Sequence, residues 1–200
     1  MVHLLEAITV PHRGKEEVYK KTESLLAVMR QLDPFYEHHI QRSCSYALDF
    51  GRREGFGEKE LRQLYLATFF HDIGKVGIPA HITNKAGPLD QAEKKIMQTH
   101  PGLGENICLE LGPFEEIAYL VGCHHERPNG TGYPRGLKGD EISELACILA
   151  IIEIYDALRS KRSYKQPFSL EQSLEVLYQN AEAGHVDKNI VVEFDRFVTG

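Results

Sequence analysis

The segment that most constrains this chain runs from 143 to 160, SELACILAIIEIYDALRS, where apolar residues cover nearly every face of a helix. A surface helix carries one apolar stripe, whereas one that is apolar all round must be buried on all sides. Ser143 predicts the cap, and the helix should run to about Ser160 at the centre of the fold. Two acids, Glu153 and Asp156, interrupt that apolar surface. A buried carboxylate without a partner costs a large part of a domain's stability, so both need one. A metal ion would supply it for Glu153. Asp156, three residues later, should orient a ligand or bond a neighbouring backbone.

The remaining segments read as helices that can wrap this centre. Residues 16–31 place Val18, Leu25, Leu26 and Met29 at helical spacing and form an amphipathic lead-in. Asp33-Pro34 breaks it, and a second helix carries Tyr36, Ile40, Cys44, Ala47 and Leu48 until 51–57 loosens it. Residues 58–70 make a third helix that ends at His71-Asp72. The Gly- and Pro-rich stretch 73–88 should be a loop. Asp90 with Glu93 has capping-box spacing. After a break at His100-Pro101, helices are expected over about 101–111 and 113–124. Residues 126–139 hold six glycines and prolines and predict a long irregular loop. Ser169 with Gln172 caps a further helix, and Asp187 opens the last. Gly102-x-Gly104 suggests only a turn.

Bulk properties exclude some functions. At 200 residues the chain can bury one proper core. A net charge of −6 gives no support for duplex nucleic-acid binding, because phosphate backbones recruit basic surfaces. Cys44, Cys108, Cys123 and Cys147 form no CxxC pair and fit a reducing compartment. The start resembles no secretory signal, and the longest apolar run, 145–152, is too short to cross a bilayer. The expectation is a cytoplasmic protein with no membrane contact.

Chemistry concentrates in the histidines. His71-Asp72 and His124-His125, with His100 and His39 from elsewhere in the chain, supply the nitrogen and oxygen donors that bind divalent first-row metals. Lys75, within HDIGK, can offset phosphate charge, and the glycines around it allow backbone to approach a site. His3, His12, His38, His81 and His185 carry no such reading. A site gathered from separate helices, with His and Asp as ligands, points to a metal-assisted hydrolase.

With these motifs in order, the chain resembles the HD-GYP family, the GYP-bearing branch of the HD phosphohydrolases. The match covers roughly 33–197. DPFYEHHIQR (33–42) is similar to the family's DPYTxxHxxR opening and selects His39 over His38; HDIGKVGIP, NKAGPLDQAE, His100-Pro101, HHERPNGTGYP and AIIEIYDALRSKRSY follow in family order. The resemblance implies an all-α domain over 33–200 preceded by a lead-in helix over 1–32. It implies hydrolysis of cyclic di-GMP to pGpG and GMP by a hydroxide held between two divalent ions, iron or manganese. His39, His71, Asp72 and the carboxylate at 153 would hold one ion. Asp72 would bridge to a second held by His100, His124 and His125. Asp72 and Lys75 would be the catalytic pair, Lys75, Arg162 and Lys165 would bind phosphate, and Tyr133 would line the rim. The GYP loop would be the docking surface for diguanylate cyclase (GGDEF) domains.

Two positions depart from the family pattern. Glu153 stands where the family carries Asp, and the added methylene changes the angle of approach to a metal; about an ångström of displacement can cost about 100-fold. Phe35 occupies a position where some members carry a glutamate that supports a third metal, so a dinuclear site is expected. The alternatives to the phosphodiesterase are the same chemistry on another cyclic dinucleotide or a nucleotide, and a weakened module that binds the dinucleotide or docks a cyclase.

Overall fold

The computed structural model describes residues 15–33, 35–160 and 166–200 of the chain. Among them the regular structure is helical; the one β-type pairing is an isolated bridge between Asn129 and Lys138. Ten α-helices follow in order. They are α1 (Lys15–Leu32), α2 (Tyr36–Arg53), α3 (Glu58–Phe70), α4 (Ala80–Thr83), α5 (Gln91–Met97), α6 (His100–Glu110), α7 (Glu115–Cys123), α8 (Glu144–Arg159), α9 (Leu170–Glu182) and α10 (Lys188–Thr199). Short 3-10 turns occupy Ile73–Gly77 and Gly139–Glu141. None of these helices is long and apolar enough to cross a membrane.

The helix that is apolar all round is the centre of the fold. Ser143 caps α8 by accepting from the Ala146 amide. On one side Ala146 and Leu149 join Leu66, Phe70, Ile117 and Val121. On the other, Ile148, Ile151, Ile152 and Tyr155 join Ala47, Phe50, Leu177 and Phe194. Two clusters thus meet across one helix, which is why its sequence shows no polar stripe. The lead-in α1 adds Leu26 and Met29 to the first cluster. The expected caps form as read: Asp90 with Glu93 on α5, Ser169 with Gln172 on α9, and Asp187 on α10.

Three stretches differ from expectation, each for a packing reason. Helix α2 continues through Gly51 to Arg53, because Gly51 faces α3, where a Cβ would lie 2.7 Å from Leu61 Cδ2. The reversal comes later, at Gly55, whose φ of +79° suits glycine. The stretch 73–88 contains the 3-10 turn Ile73–Gly77 and the single-turn α4, so it is compact where an open loop was expected. Gly102 and Gly104 lie inside α6, not in a turn. Gly104 serves contact: a Cβ there would meet Val121 Cγ1 at 2.8 Å and the Gly74 amide at 3.4 Å.

This architecture brings helix ends to one point. His39 lies in the first turn of α2, His71-Asp72 directly follow α3, His100 opens α6 and His124-His125 follow α7. Glu153 and Asp156 face that point from the C-terminal half of α8.

Candidate metal centre

Four of the histidines present the same ring nitrogen to a common centre, because the other nitrogen of each is held from behind. His71 Nδ1 lies 2.7 Å from the Thr68 carbonyl, His100 Nδ1 2.8 Å from Met97 and His124 Nδ1 2.7 Å from Val121. Each contact reaches back three residues, to the end of a helix or the turn before one. His39 Nδ1 is held instead by Asp156 Oδ2 at 2.7 Å. A carbonyl or carboxylate only accepts, so each Nδ1 carries the proton and each Nε2 presents a lone pair.

Those lone pairs face one another. His39 Nε2 and His71 Nε2 are 3.4 Å apart, and His100 Nε2 and His124 Nε2 are 3.1 Å apart. In these neutral tautomers neither nitrogen of a pair has a proton to share. Burial pushes His100 down to about 4 and His124 well below its ordinary value, which keeps both rings neutral, the form that ligates metals. Burial also opposes protonation of His71, but Asp72 alongside reverses the balance and raises it.

Asp72 sits between the two pairs. Its Oδ2 lies 3.4 Å from His71 Nε2 and accepts from Lys75 Nζ at 2.7 Å, while Oδ1 lies 3.4 Å from His100 Nε2. Oδ1 is buried and has no hydrogen-bond donor. Glu153 Oε2 is the second such oxygen, and its Oε1 lies 3.7 Å from His125 Nε2. Burial opposes ionisation of Asp72, yet Lys75 and His71 hold its carboxyl well below the usual range.

This donor set fits divalent ions. Two groups, His39 with His71 and Asp72, and His100 with His124 and His125, each offer three donor atoms mutually within 4.8 Å. Two orphaned carboxylate oxygens and two pairs of opposed lone pairs are repulsive as they stand, and a cation in each group turns both features into coordination.

The expected site residues are therefore gathered, with two exceptions. Arg162 and Lys165 lie outside the described residues. Tyr133 arrives through the loop 126–139, its ring 4.7 Å from that of His125 and its amide bonded to the His125 carbonyl at 3.1 Å.

Two residues were overlooked in the sequence. Glu126, 2% exposed, accepts the Arg135 amide at 2.7 Å and the Leu137 amide at 2.9 Å, so one buried carboxylate folds the loop behind His125. An acid adjoining two candidate ligands and opening a Gly-Pro loop was the available signal. Arg42 clamps Asp156, Nε to Oδ1 at 2.7 Å and Nη2 to Oδ2 at 3.1 Å, and also reaches Ser160 Oγ. Its position three residues after His39 puts both on one face of α2. Burial disfavours ionised Asp156, but bonds from His39 and Arg42 lower its pKa.

A family model described as HD domain matches residues 23–190. The chain is 36% identical to a 3'3'-cGAMP-specific phosphodiesterase of Vibrio cholerae over 74% of its own length and 32% of that protein's. It is 41% identical to a cyclic di-GMP phosphodiesterase of Thermotoga maritima over 78% of this chain and 43% of that protein. The chain thus spans less than half the length of these curated relatives. Among solved structures, an HDG"Y"P protein of Bdellovibrio bacteriovorus superposes with a TM-score of 0.67 at 20% identity, covering 94% of this chain and 61% of the other. At that identity the likeness concerns the fold.

Proposed function

The chain belongs to the HD domain family, in its HD-GYP branch, and from that premise we propose that it is a dinuclear metal-dependent phosphodiesterase of cyclic di-GMP. The observation that carries this reading is the set of inward Nε2 lone pairs around Asp72, each locked by a bond at Nδ1. The ions, iron or manganese, would supply Lewis acidity toward the scissile phosphate and toward water. The protein's own residues do the positioning. Asp72 spans the two donor groups and balances charge on both sides. Lys75, 2.7 Å from Asp72 Oδ2, brings a positive charge to the place where a phosphate would sit. Arg162 and Lys165 would bind the phosphates, and Tyr133 would form the rim beside His125. The GYP loop, organised by Glu126, would be the surface offered to a diguanylate cyclase.

A second substrate, 3'3'-cGAMP, is favoured by the Vibrio relatives named for it, since metal ligands recognise phosphate and not base. The test is product analysis on both dinucleotides after anaerobic loading with Fe²⁺ or Mn²⁺. The expected result is linear pGpG or GMP from cyclic di-GMP, with slower turnover and unchanged metal content in Arg162→Ala. Full metal occupancy without product from either dinucleotide would reduce the chain to a binding module.

Arg42 should support the His39 side from outside. Removing it takes two bonds from Asp156 and loosens the hold on His39 Nδ1. Arg42→Ala is expected to weaken the ion of the His39 group by about 10- to 100-fold while sparing the ion of the His100 group. Calorimetric metal titration reads this directly; equal weakening of both ions would show a general structural role instead.

A further inference from the structure

We infer that Glu153 ligates the ion held by His100, His124 and His125, and not the one held by His39 and His71. The inference rests on the proposed two-ion reading and departs from the ligand set that family resemblance implies. Its first support is distance. Glu153 Oε1 approaches His125 Nε2 at 3.7 Å, and among the described residues no other histidine nitrogen comes within 4.0 Å of this carboxylate. Two donors bound at about 2.1 Å to one ion lie roughly 3.0 Å apart at a right angle and about 3.6 Å apart at 120°. The observed separation suits two ligands of a single ion.

The second support is the division of labour along α8. Glu153 and Asp156 are three residues apart and so share a face. Asp156 is committed to the other side, with Oδ2 on His39 Nδ1 and Oδ1 on Arg42. The helix therefore assigns one acid to each donor group. Asp156 acts behind a ligand, and Glu153 would be a ligand itself. The buried, undonated Oε2 leaves a lone pair available for the same ion.

The consequence is an asymmetric centre. The ion of the His100 group would have three imidazoles, Glu153 and a share of Asp72. The ion of the His39 group would have His39, His71 and Asp72 alone, with positions left for water and a phosphate oxygen. Three protein ligands with open positions is the usual arrangement of a catalytic ion, while a fuller shell holds an ion for structure and charge. Lys75, bonded to Asp72 Oδ2 on the His71 side, stands beside that more open ion.

Proteins reduced to one ion test the assignment. Metal-free parent, His39→Ala and His125→Ala are titrated with Mn²⁺ alone, each with and without Glu153→Gln, and affinity and stoichiometry are read by calorimetry and elemental analysis. Glu153→Gln keeps size and removes charge. In His39→Ala, where the ion of the His100 group remains, it should weaken binding by about 10- to 100-fold. In His125→Ala, where the ion of the His39 group remains, it should change affinity less than about twofold. The reverse pattern overturns the inference and leaves the two-ion reading standing. A parent that takes up fewer than two equivalents overturns the two-ion reading itself, and the inference with it. Circular dichroism checks folding, and His39→Gln or His125→Gln replaces any alanine variant that does not fold.

Discussion

Replacing Asp72 with alanine is expected to remove the ion of the His39 group, to weaken that of the His100 group and, on the proposed function, to lower turnover of cyclic di-GMP by more than about 1000-fold, beyond the loss typical of one electrostatic donor. The geometry gives the reason. Among the described residues Asp72 is the single carboxylate with one oxygen toward each donor group, Oδ2 at His71 and Oδ1 at His100. Imidazoles are neutral ligands, so without Asp72 the His39 group would hold a divalent ion with no negative charge of its own. Lys75 would lose its partner at 2.7 Å and add an uncompensated positive charge to the same place. Asp72→Asn separates shape from charge, since it preserves the side-chain outline and presents one acceptor in place of two. It should retain at most the ion of the His100 group, which has three histidines and, on the present inference, Glu153. Elemental analysis of anaerobically loaded protein decides the matter: two full equivalents in Asp72→Ala would sink the bridging role.

The parts of this centre that were legible in the sequence are those that each residue type announces by itself. His71-Asp72, His100 and His124-His125 stood at breaks between helical segments, and the structure places every one of them at a helix end. The apolar run around Glu153 and Asp156 announced burial, and the two clusters that meet across α8 account for it. What was not legible depends on direction in space. That Asp156 serves His39, or that Glu153 turns toward His125, follows from the phase of α8 against α2 and α7, which no spacing along the chain encodes. Arg42 and Glu126 were hidden for a similar reason: each acts on atoms that are distant in sequence or belong to the backbone. The glycines at 102 and 104 looked alike in the sequence, and only packing separates them, because one faces open space and the other meets Val121.

The same reasoning predicts a large effect at a residue with no chemistry of its own. A Cβ on Gly74 would lie 2.0 Å from the His100 carbonyl oxygen and 2.5 Å from the Gly104 amide nitrogen. Both are backbone atoms in the first turns of α6, so no side-chain rotation can make room. The 3-10 turn that carries Lys75 and the helix that carries His100 must separate. Gly74→Ala should cost about 3 kcal/mol, at the upper end of ordinary overpacking, and lower the melting temperature by about 6 to 12 °C. Because His100 opens the displaced helix, the ion of the His100 group should be lost while that of the His39 group, which receives nothing from α6, is largely kept. Gly102→Ala is the matched control. Gly102 is in the same helix, and a Cβ there meets nothing within 4 Å. Its replacement should be neutral or raise stability by up to about 1 kcal/mol, since alanine is the better helix former. Thermal unfolding and metal analysis of the two variants side by side separate crowding from a general intolerance of substitution in this region. A Gly74→Ala protein as stable as Gly102→Ala and carrying two ions would mean that the 3-10 turn and α6 are not packed backbone to backbone.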